Sequence, residues 1–273
     1  MRKRNLLIQF AIIMTVFAVF SSQVLAQKGT VKTDSRVFYH DGPVMSGTSS
    51  IYLIWYGSWG GSVVPSILTD LATNIGASPY FLINTMYPDS SGAAPSGSLI
   101  YAGSVYDAYS HGSTLTPTGI QNVVADRIAA SSNRLPLDPQ AIYIVIGSSD
   151  VTDFHLSPDG TNYTTFCTPG SRPHHGYFTY GGTTVKYAYL GNYDRCPTSA
   201  PNAGQVSTPN GNFGVDAMAS TMARLLSVIV TSPLGSGGTY GGWCDRYGLE
   251  IADKCVVNSG QLTRTQEPVP RQI

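Results

Sequence analysis

Two short runs of hydrophobic residues stand out along the chain, and three longer segments repeat hydrophobic residues at helical spacing. The runs, Ile51–Gly57 and Ala141–Gly147, are β-branched and aromatic, which predicts buried strands. The longer segments place apolar residues three, four and seven positions apart, which predicts amphipathic helices. They are Val63–Gly76, a segment capped by Thr116 with Pro117 in its first turn, and Val215–Thr231.

Two further segments alternate aromatic with small or polar residues and predict extended chain. Ser98–Tyr109 predicts a strand or hairpin, and the segment around Gly181–Gly182 predicts a hairpin with its turn at those glycines. The whole pattern predicts a single α+β domain, with a mixed β-sheet packed against two to three amphipathic helices.

The N-terminus has the three parts of a secretory signal peptide. Basic residues at positions 2–4 precede an apolar run, Leu6–Phe20, and Val24 and Ala26 suit a cleavage site after Ala26. An uncleaved anchor is the alternative, but the run is short for a span of about 20 residues. We therefore expect a signal peptide at 1–26, a flexible N-terminus at 27–36, a folded domain at 37–255 and a disordered tail at 256–273.

Charge excludes two classes of partner. The chain has 16 basic and 16 acidic residues, and removal of the signal peptide takes three basic ones, which leaves 13 against 16. Lysine and arginine are not clustered as a nucleic-acid groove requires. We therefore expect no nucleic-acid partner and no membrane attachment after signal removal, with the protein secreted or extracellular.

All four cysteines lie in the second half of the chain, and an even number in a secreted protein suggests disulfides. The pairing Cys167–Cys196 with Cys244–Cys255 closes two local loops and is the one we predict. Zinc is the competing interpretation, but the spacing lacks a C-x-x-C pair. Asn162 begins an N-x-T glycosylation sequon, which matters if the host is eukaryotic.

Four segments together resemble the EXORDIUM or phosphate-induced protein 1 family. They are YHDGPVMSGTSSIYLIWYG from position 39, AIYIVIGSSDV from 141, KYAYLGNYDRCP from 186 and GVDAMASTMARLLSVIVTSPLG from 214. The resemblance covers about Phe38 to Gly242. It implies that the chain is a short microbial relative of the plant members of the family. It implies an extracellular protein, in the apoplast or cell wall of plants, associated with growth and carbon status. It supplies no agreed enzymatic activity.

The last predicted helix and the segment after it are also similar to the end of some secreted zincin-type sequences. Those sequences carry zinc ligands and a catalytic glutamate in the helix. Here Arg224, Leu225 and Val228 stand at the corresponding positions, and none of them can perform that chemistry. The similarity implies at most a zincin-like architecture without the metal ligands, and Arg224 is expected on a polar helix face.

The remaining candidate site residues are few. His175, with Asp245 and Glu250 from the last loop, could hold a metal or serve a hydrolase, although no cofactor is expected. Trp243, Tyr240 and His175 could bind a ligand. Gly147–Asp150 follows a buried strand, where open α/β sheets place ligands, although turn capping also explains its serines and aspartate.

These observations predict a secreted EXORDIUM-like protein that binds at the cell wall or extracellular surface and has no catalytic centre. Its partners would be a cell-wall polysaccharide or a surface protein. The alternatives are a secreted hydrolase that uses His175, metal-dependent or not, and a structural envelope protein.

Overall fold

The structure is a computed structural model that describes residues 36–156, 161–169, 171, 174–200, 208–235 and 241–256, with the side chains of the last two residues excluded. These ranges belong to one compact unit. The predicted signal peptide, nearly all of the predicted flexible N-terminus, Tyr240 and the tail from 257 onward lie outside them.

A five-stranded mixed sheet forms the centre of the protein. Its strands are β2 (Ser49–Tyr56), β3 (Leu99–Asp107), β5 (Ala141–Gly147), β9 (His175–Tyr180) and β10 (Thr183–Leu190). Their spatial order is β3-β2-β5-β10-β9. The first four strands run parallel, and β9 pairs antiparallel with β10 at one edge.

The central strands are buried because their sequences carry almost no polar residues. Every residue of β5 is buried, and β2 is buried except at Ser50. Continuous apolar strands of this kind are typical of parallel sheets covered on both faces. Tyrosines pack along one face, where Tyr52 stacks on Tyr143 at 5.4 Å between ring centres.

Three helices of more than ten residues pack around the sheet: α1 (Val64–Asn74), α3 (Pro117–Ala129) and α4 (Phe213–Thr231). Helix α1 packs against β3 and α4, and α3 packs against β5 and β10. The hydroxyl of Thr116 accepts the backbone N–H of Gly119 at 3.1 Å, which caps α3 as predicted.

Short elements complete the described structure. The helical ones are α2 (Pro79–Leu82), α5 (Asp253–Val256) and 3₁₀ turns at Ile83–Met86, Tyr193–Arg195 and Pro197–Ser199. The short strands are β1 (Phe38–Tyr39), β4 (Thr114–Leu115), β6 (Thr152–Asp153), β7 (His155–Leu156), β8 (Tyr163–Thr164) and β11 (Trp243–Cys244). They pair as β1 with β11, β4 with β6 and β7 with β8.

The predicted α+β fold with a mixed sheet is confirmed, including the strand Ala141–Gly147 and the hairpin turn at Gly181–Gly182. The predicted disulfide between Cys167 and Cys196 is also formed. Among the described residues Cys244 is a free, buried thiol, and the side chain of Cys255, its predicted partner, lies outside them. Burial is the main cause that raises the pKa of the Cys244 thiol to about 12.

Helix α4 differs from the prediction on the face where a polar surface was expected. Among the described helices it is the one whose length and composition would allow it to cross a membrane, but 78% of that stretch is buried inside the domain. Arg224 is only 8% exposed, and its guanidinium is paired with Asp253. The expectation of a solvent-facing Arg224 is therefore wrong, because a carboxylate 29 positions away covers it.

Candidate functional site

The parallel strands all end at one edge of the sheet, and the loops that follow them meet there. The chain leaves β2 toward β3 on one side, whereas β5 lies on the other side of β2. Strand order therefore reverses between β2 and β5, and crevices at such reversals are where open α/β sheets bind ligands. We call the four loops, at 57–59, 108–112, 148–150 and 191–195, the crest.

Two loops of the crest are joined through a single serine. Ser148 follows β5, and its hydroxyl oxygen accepts the backbone N–H of Ser58 at 3.0 Å. The same hydroxyl donates to Asp150 Oδ1 at 2.5 Å. Gly57 makes this approach possible: a Cβ there would lie 2.0 Å from the Ser148 hydroxyl, and its φ of +103° favours glycine.

Asp150 is the exposed charged group at the centre of the crest. Its second oxygen, Oδ2, accepts the hydroxyl of Tyr109 at 2.5 Å. The hydrogen bonds from Ser148 and then Tyr109 lower the pKa of Asp150, and the charge of Arg195 adds to this. The carboxylate is therefore ionised and held in place at neutral pH.

The loop that carries Tyr109 is fixed by buried polar groups beneath it. Asp107 accepts the backbone N–H and the hydroxyl of Ser110, both at 2.9 Å, and lies 3.5 Å from Arg127. The Tyr56 hydroxyl donates to the carbonyl of Gly112 at 2.8 Å. Tyr109 itself has a φ of +60°, a conformation uncommon outside glycine that concentrates at functional sites.

The loop after β10 adds a cation to the crest. Arg195 is exposed, and its Nη1 donates to the carbonyl of Ser149 at 3.3 Å. Tyr189 is fully buried next to Gly147, at the start of the loop that follows β5. Its hydroxyl has no hydrogen-bond partner among the described residues. A Cβ on Gly147 would lie 2.5 Å from that hydroxyl. The crest thus presents a fixed carboxylate, a guanidinium and a tyrosine at one place.

A second cluster contains the residues that sequence analysis proposed for metal binding. His175 Nε2 lies 2.9 Å from one oxygen of Glu250 and 3.1 Å from the other, and both side chains are largely buried. The other ring nitrogen of His175, Nδ1, is buried without a partner among the described residues. The structure therefore brings His175 and Glu250 together as a pair.

Asp245 belongs to a different set of contacts. It accepts the backbone N–H groups of Tyr247 and Leu249, each at 2.8 Å, and it contacts the ammonium of Lys254. Burial alone would raise the pKa of Asp245, but these donors together lower it. In the part of the chain that the structure describes, no group of three or more His, Cys, Asp or Glu side chains is arranged to hold a metal ion.

The remaining predicted binding residues have structural contacts or lie at the surface. Trp243 is half-buried between Tyr39 and Tyr87, and its Nε1 donates to the carbonyl of Pro88 at 2.8 Å. Asn162 is exposed, as a glycosylation site would require. Tyr240 lies outside the described residues.

A third cluster was not anticipated from the sequence. Gln121 donates to the Tyr187 hydroxyl at 3.0 Å, and that hydroxyl is 3.2 Å from His174 Nε2. Burial, with the neighbouring charges of His175 and His155, lowers the pKa of His174 to about 4. His155 in turn lies 2.9 Å from Asp153. His174 is therefore a neutral, half-buried imidazole at neutral pH.

An open, mostly parallel sheet with a polar crest defines the class of this domain, and comparison with known proteins defines its family. The family model for the phosphate-induced protein 1 conserved region matches residues 37–263. The chain therefore belongs to the phosphate-induced protein 1 family, as the sequence motifs predicted.

Several curated plant proteins are similar to this chain. Protein EXORDIUM-like 5 of Arabidopsis thaliana is 33% identical over 80% of this chain and 63% of its own length. Protein EXORDIUM-like 3 of the same plant is 29% identical over 81% and 68%, respectively. Protein PHOSPHATE-INDUCED 1 of Nicotiana tabacum is 28% identical over 90% and 80%. The chain thus spans roughly two thirds of the first two relatives. No solved structure matches.

Proposed function

We propose that this chain is a secreted EXORDIUM-like protein that acts by binding at the cell wall or another extracellular surface, without catalysis. Its partner is a cell-wall polysaccharide or a surface protein. A role in growth or carbon status rests on the family resemblance alone. The crest is the site at which binding takes place.

The state of Asp150 carries the proposal. A general acid or base works best when its pKa lies near the working pH. The pKa of Asp150 is moved the other way, below its ordinary value, by two hydroxyl donors. A carboxylate that stays ionised and fixed suits acceptance of hydrogen bonds from a ligand better than proton transfer.

Two observations support secretion. The first is the N-terminal pattern of basic residues, apolar run and small-residue cleavage site. The second is the Cys167–Cys196 disulfide, since such bonds persist in oxidising compartments and are rare in the cytosol.

Fractionation of cells that express the full chain tests the proposal. We expect the mature protein outside the cytoplasm, beginning near Gln27, and we expect the purified protein to sediment with an insoluble cell-wall preparation. Retention of Met1 on cytoplasmic protein would contradict secretion. Failure to sediment with the wall fraction would contradict wall binding.

A hydrolase is the second candidate, and the buried pair of His175 and Glu250 favours it. A carboxylate on one ring nitrogen orients a histidine and fixes its tautomer, which is how general bases are held in many hydrolases. Incubation with unfolded protein and polysaccharide substrates, with and without chelator, tests this candidate. Turnover that disappears in His175→Ala and persists in His111→Ala would favour the hydrolase over the binding protein.

A further inference from the structure

We propose that the crest binds an uncharged, hydroxyl-rich ligand, a neutral saccharide, and that Asp150 accepts hydrogen bonds from two neighbouring hydroxyl groups of one sugar ring. This inference rests on the proposed binding function and names its ligand class and its site. It is carried by the fixed carboxylate, the charge balance around it and its place in the fold.

The hydrogen bonds of Asp150 leave room for a ligand. A carboxylate offers about four lone-pair sites on its two oxygens. Oδ1 accepts the Ser148 hydroxyl and Oδ2 accepts the Tyr109 hydroxyl. Each oxygen therefore keeps capacity toward solvent, and the pair can accept from two adjacent donors at once, as carboxylates do from the fork of an arginine.

The charges of the crest favour a neutral ligand over an anionic one. Arg127 lies beside Asp107, and Arg195 interacts electrostatically with Asp150. Each cation is thus offset by a carboxylate, and an incoming phosphate would meet the exposed charge of Asp150. The loop between β2 and α1, residues 57–63, contains three glycines but matches neither of the phosphate-binding patterns G-x-G-x-x-G and G-x-x-x-x-G-K-[ST].

Position and rigidity complete the inference. Asp150 lies at the reversal of strand order between β2 and β5. Ser148 connects the loops on the two sides of that reversal, and Tyr109 reaches it from a third. Arg195 adds donors from a fourth loop, since an arginine has five N–H groups and only one is described in a hydrogen bond here. A ligand with several hydroxyl groups could contact all four loops.

Titration calorimetry with defined sugars tests the proposal. The probes are neutral oligosaccharides of glucose, mannose, galactose or xylose, with polygalacturonate as the anionic probe. We expect the wild-type protein to bind at least one neutral oligosaccharide. Asp150→Asn, which removes the charge and one acceptor, should weaken that binding about tenfold or more. Tyr109→Phe, which removes one donor to Asp150, should weaken it by about threefold to tenfold.

Asp89→Asn provides the matched control. Asp89 also accepts a serine hydroxyl two residues further on, from Ser91 at 2.7 Å, but it lies in the loop that leads into the start of β3. The affinity of Asp89→Asn for the oligosaccharide should equal that of the wild type. Thermal unfolding of each variant verifies that it is folded.

Four outcomes would overturn the inference. If the wild-type protein sediments with cell wall but binds none of the neutral oligosaccharides, the ligand class is wrong and the proposed function stands. If Asp150→Asn binds as tightly as Asp89→Asn, the site is wrong. If polygalacturonate binds in preference and salt abolishes its binding, the charge argument is wrong. Absence of both wall and sugar binding would contradict the proposed function as well.

Discussion

The centre of the sheet is fully buried and the segment from Gly241 to Asp253 is buried in part, and different interactions stabilise the two regions. Strand β5 contributes seven buried residues and no charge. The C-terminal segment instead contributes carboxylates, each of which meets a basic group: Glu250 with His175, Asp253 with Arg224 and Asp245 with Lys254. In apolar packing, the loss in free energy of unfolding grows with the number of buried atoms removed. In a buried ion pair, removal of either partner is strongly destabilising, because the other charge stays buried without compensation.

This difference predicts that the largest loss of stability comes from an arginine. Arg224→Ala leaves Asp253 buried without its guanidinium, and removal of one partner from a buried pair costs about 3–5 kcal/mol. Chemical denaturation of the wild type, Arg224→Ala, Asp253→Asn and the double variant measures the cost. We expect a coupling between the two changes, because the double variant no longer buries an unpaired charge.

An Arg224→Ala cost below about 0.5 kcal/mol, the usual size for surface substitutions, would place this side chain on an exposed face after all. The sequence-based expectation that Arg224 lies on a polar helix face would then be right. This result would also remove the contrast between the two regions.

The second prediction concerns apolar packing on the same helix. Leu226 is fully buried, and Leu226→Ala should cost about 2–5 kcal/mol, from lost burial and the cavity left behind. Val63→Ala is the control, since Val63 is 53% exposed and the change should be nearly neutral. Equal losses in the two variants, measured by urea denaturation, would contradict the assignment of α4 as a core helix.

The elements of the fold could be predicted because their signals are local. The strand Ala141–Gly147 and the capped helix from Pro117 are each specified by neighbouring residues, through apolar content, spacing and a cap. Arg224 could not be placed in this way. It sits among polar residues on a helical projection, and only its partner 29 positions later shows that it is buried.

The candidate site was predictable only in part, for the same reason. Gly147–Asp150 stands out because polar residues follow a buried strand, but the residues that complete the crest are remote in sequence. Tyr109 is 41 positions from Asp150, and Arg195 is 46 positions from Ser149. The pairing of His175 with Glu250 spans 75 positions. One signal was available: Gly147–Asp150 follows a predicted buried strand, and ligands of open α/β sheets bind outside the carboxyl ends of such strands.

The third prediction uses acid to probe His174, a half-buried histidine beside the sheet. The pKa of His174 falls from 6.5 to about 4 on folding, so the unfolded chain binds a proton that the folded protein does not. Stability should therefore be complete above pH 6.5 and decline as pH falls toward 4. Linkage gives a loss of about 2 kcal/mol between pH 7 and pH 5.

His174→Gln tests this third prediction, because the amide keeps an acceptor for the Tyr187 hydroxyl but does not titrate. Urea denaturation at pH 7 and pH 5 should show a smaller pH-dependent loss in His174→Gln than in the wild type, by about 2 kcal/mol. Identical pH dependence in the two proteins would mean that His174 binds its proton equally well in the folded and the unfolded state. A histidine that is charged at low pH would then lie beside the sheet, and charged groups would not be confined to the C-terminal segment.

The smallest effect on stability is expected at the crest. Asp150 is exposed, and hydrogen bonds to an exposed carboxylate compete with water, so Asp150→Asn should lower the free energy of unfolding by less than about 1 kcal/mol. Chemical denaturation of this variant beside Asp89→Asn gives the comparison. A loss of several kcal/mol would show that the hydrogen bonds among Ser148, Tyr109 and Asp150 mainly stabilise the loops that they connect. A small loss together with weakened sugar binding would mean that the network positions a ligand-binding carboxylate and adds little to folding.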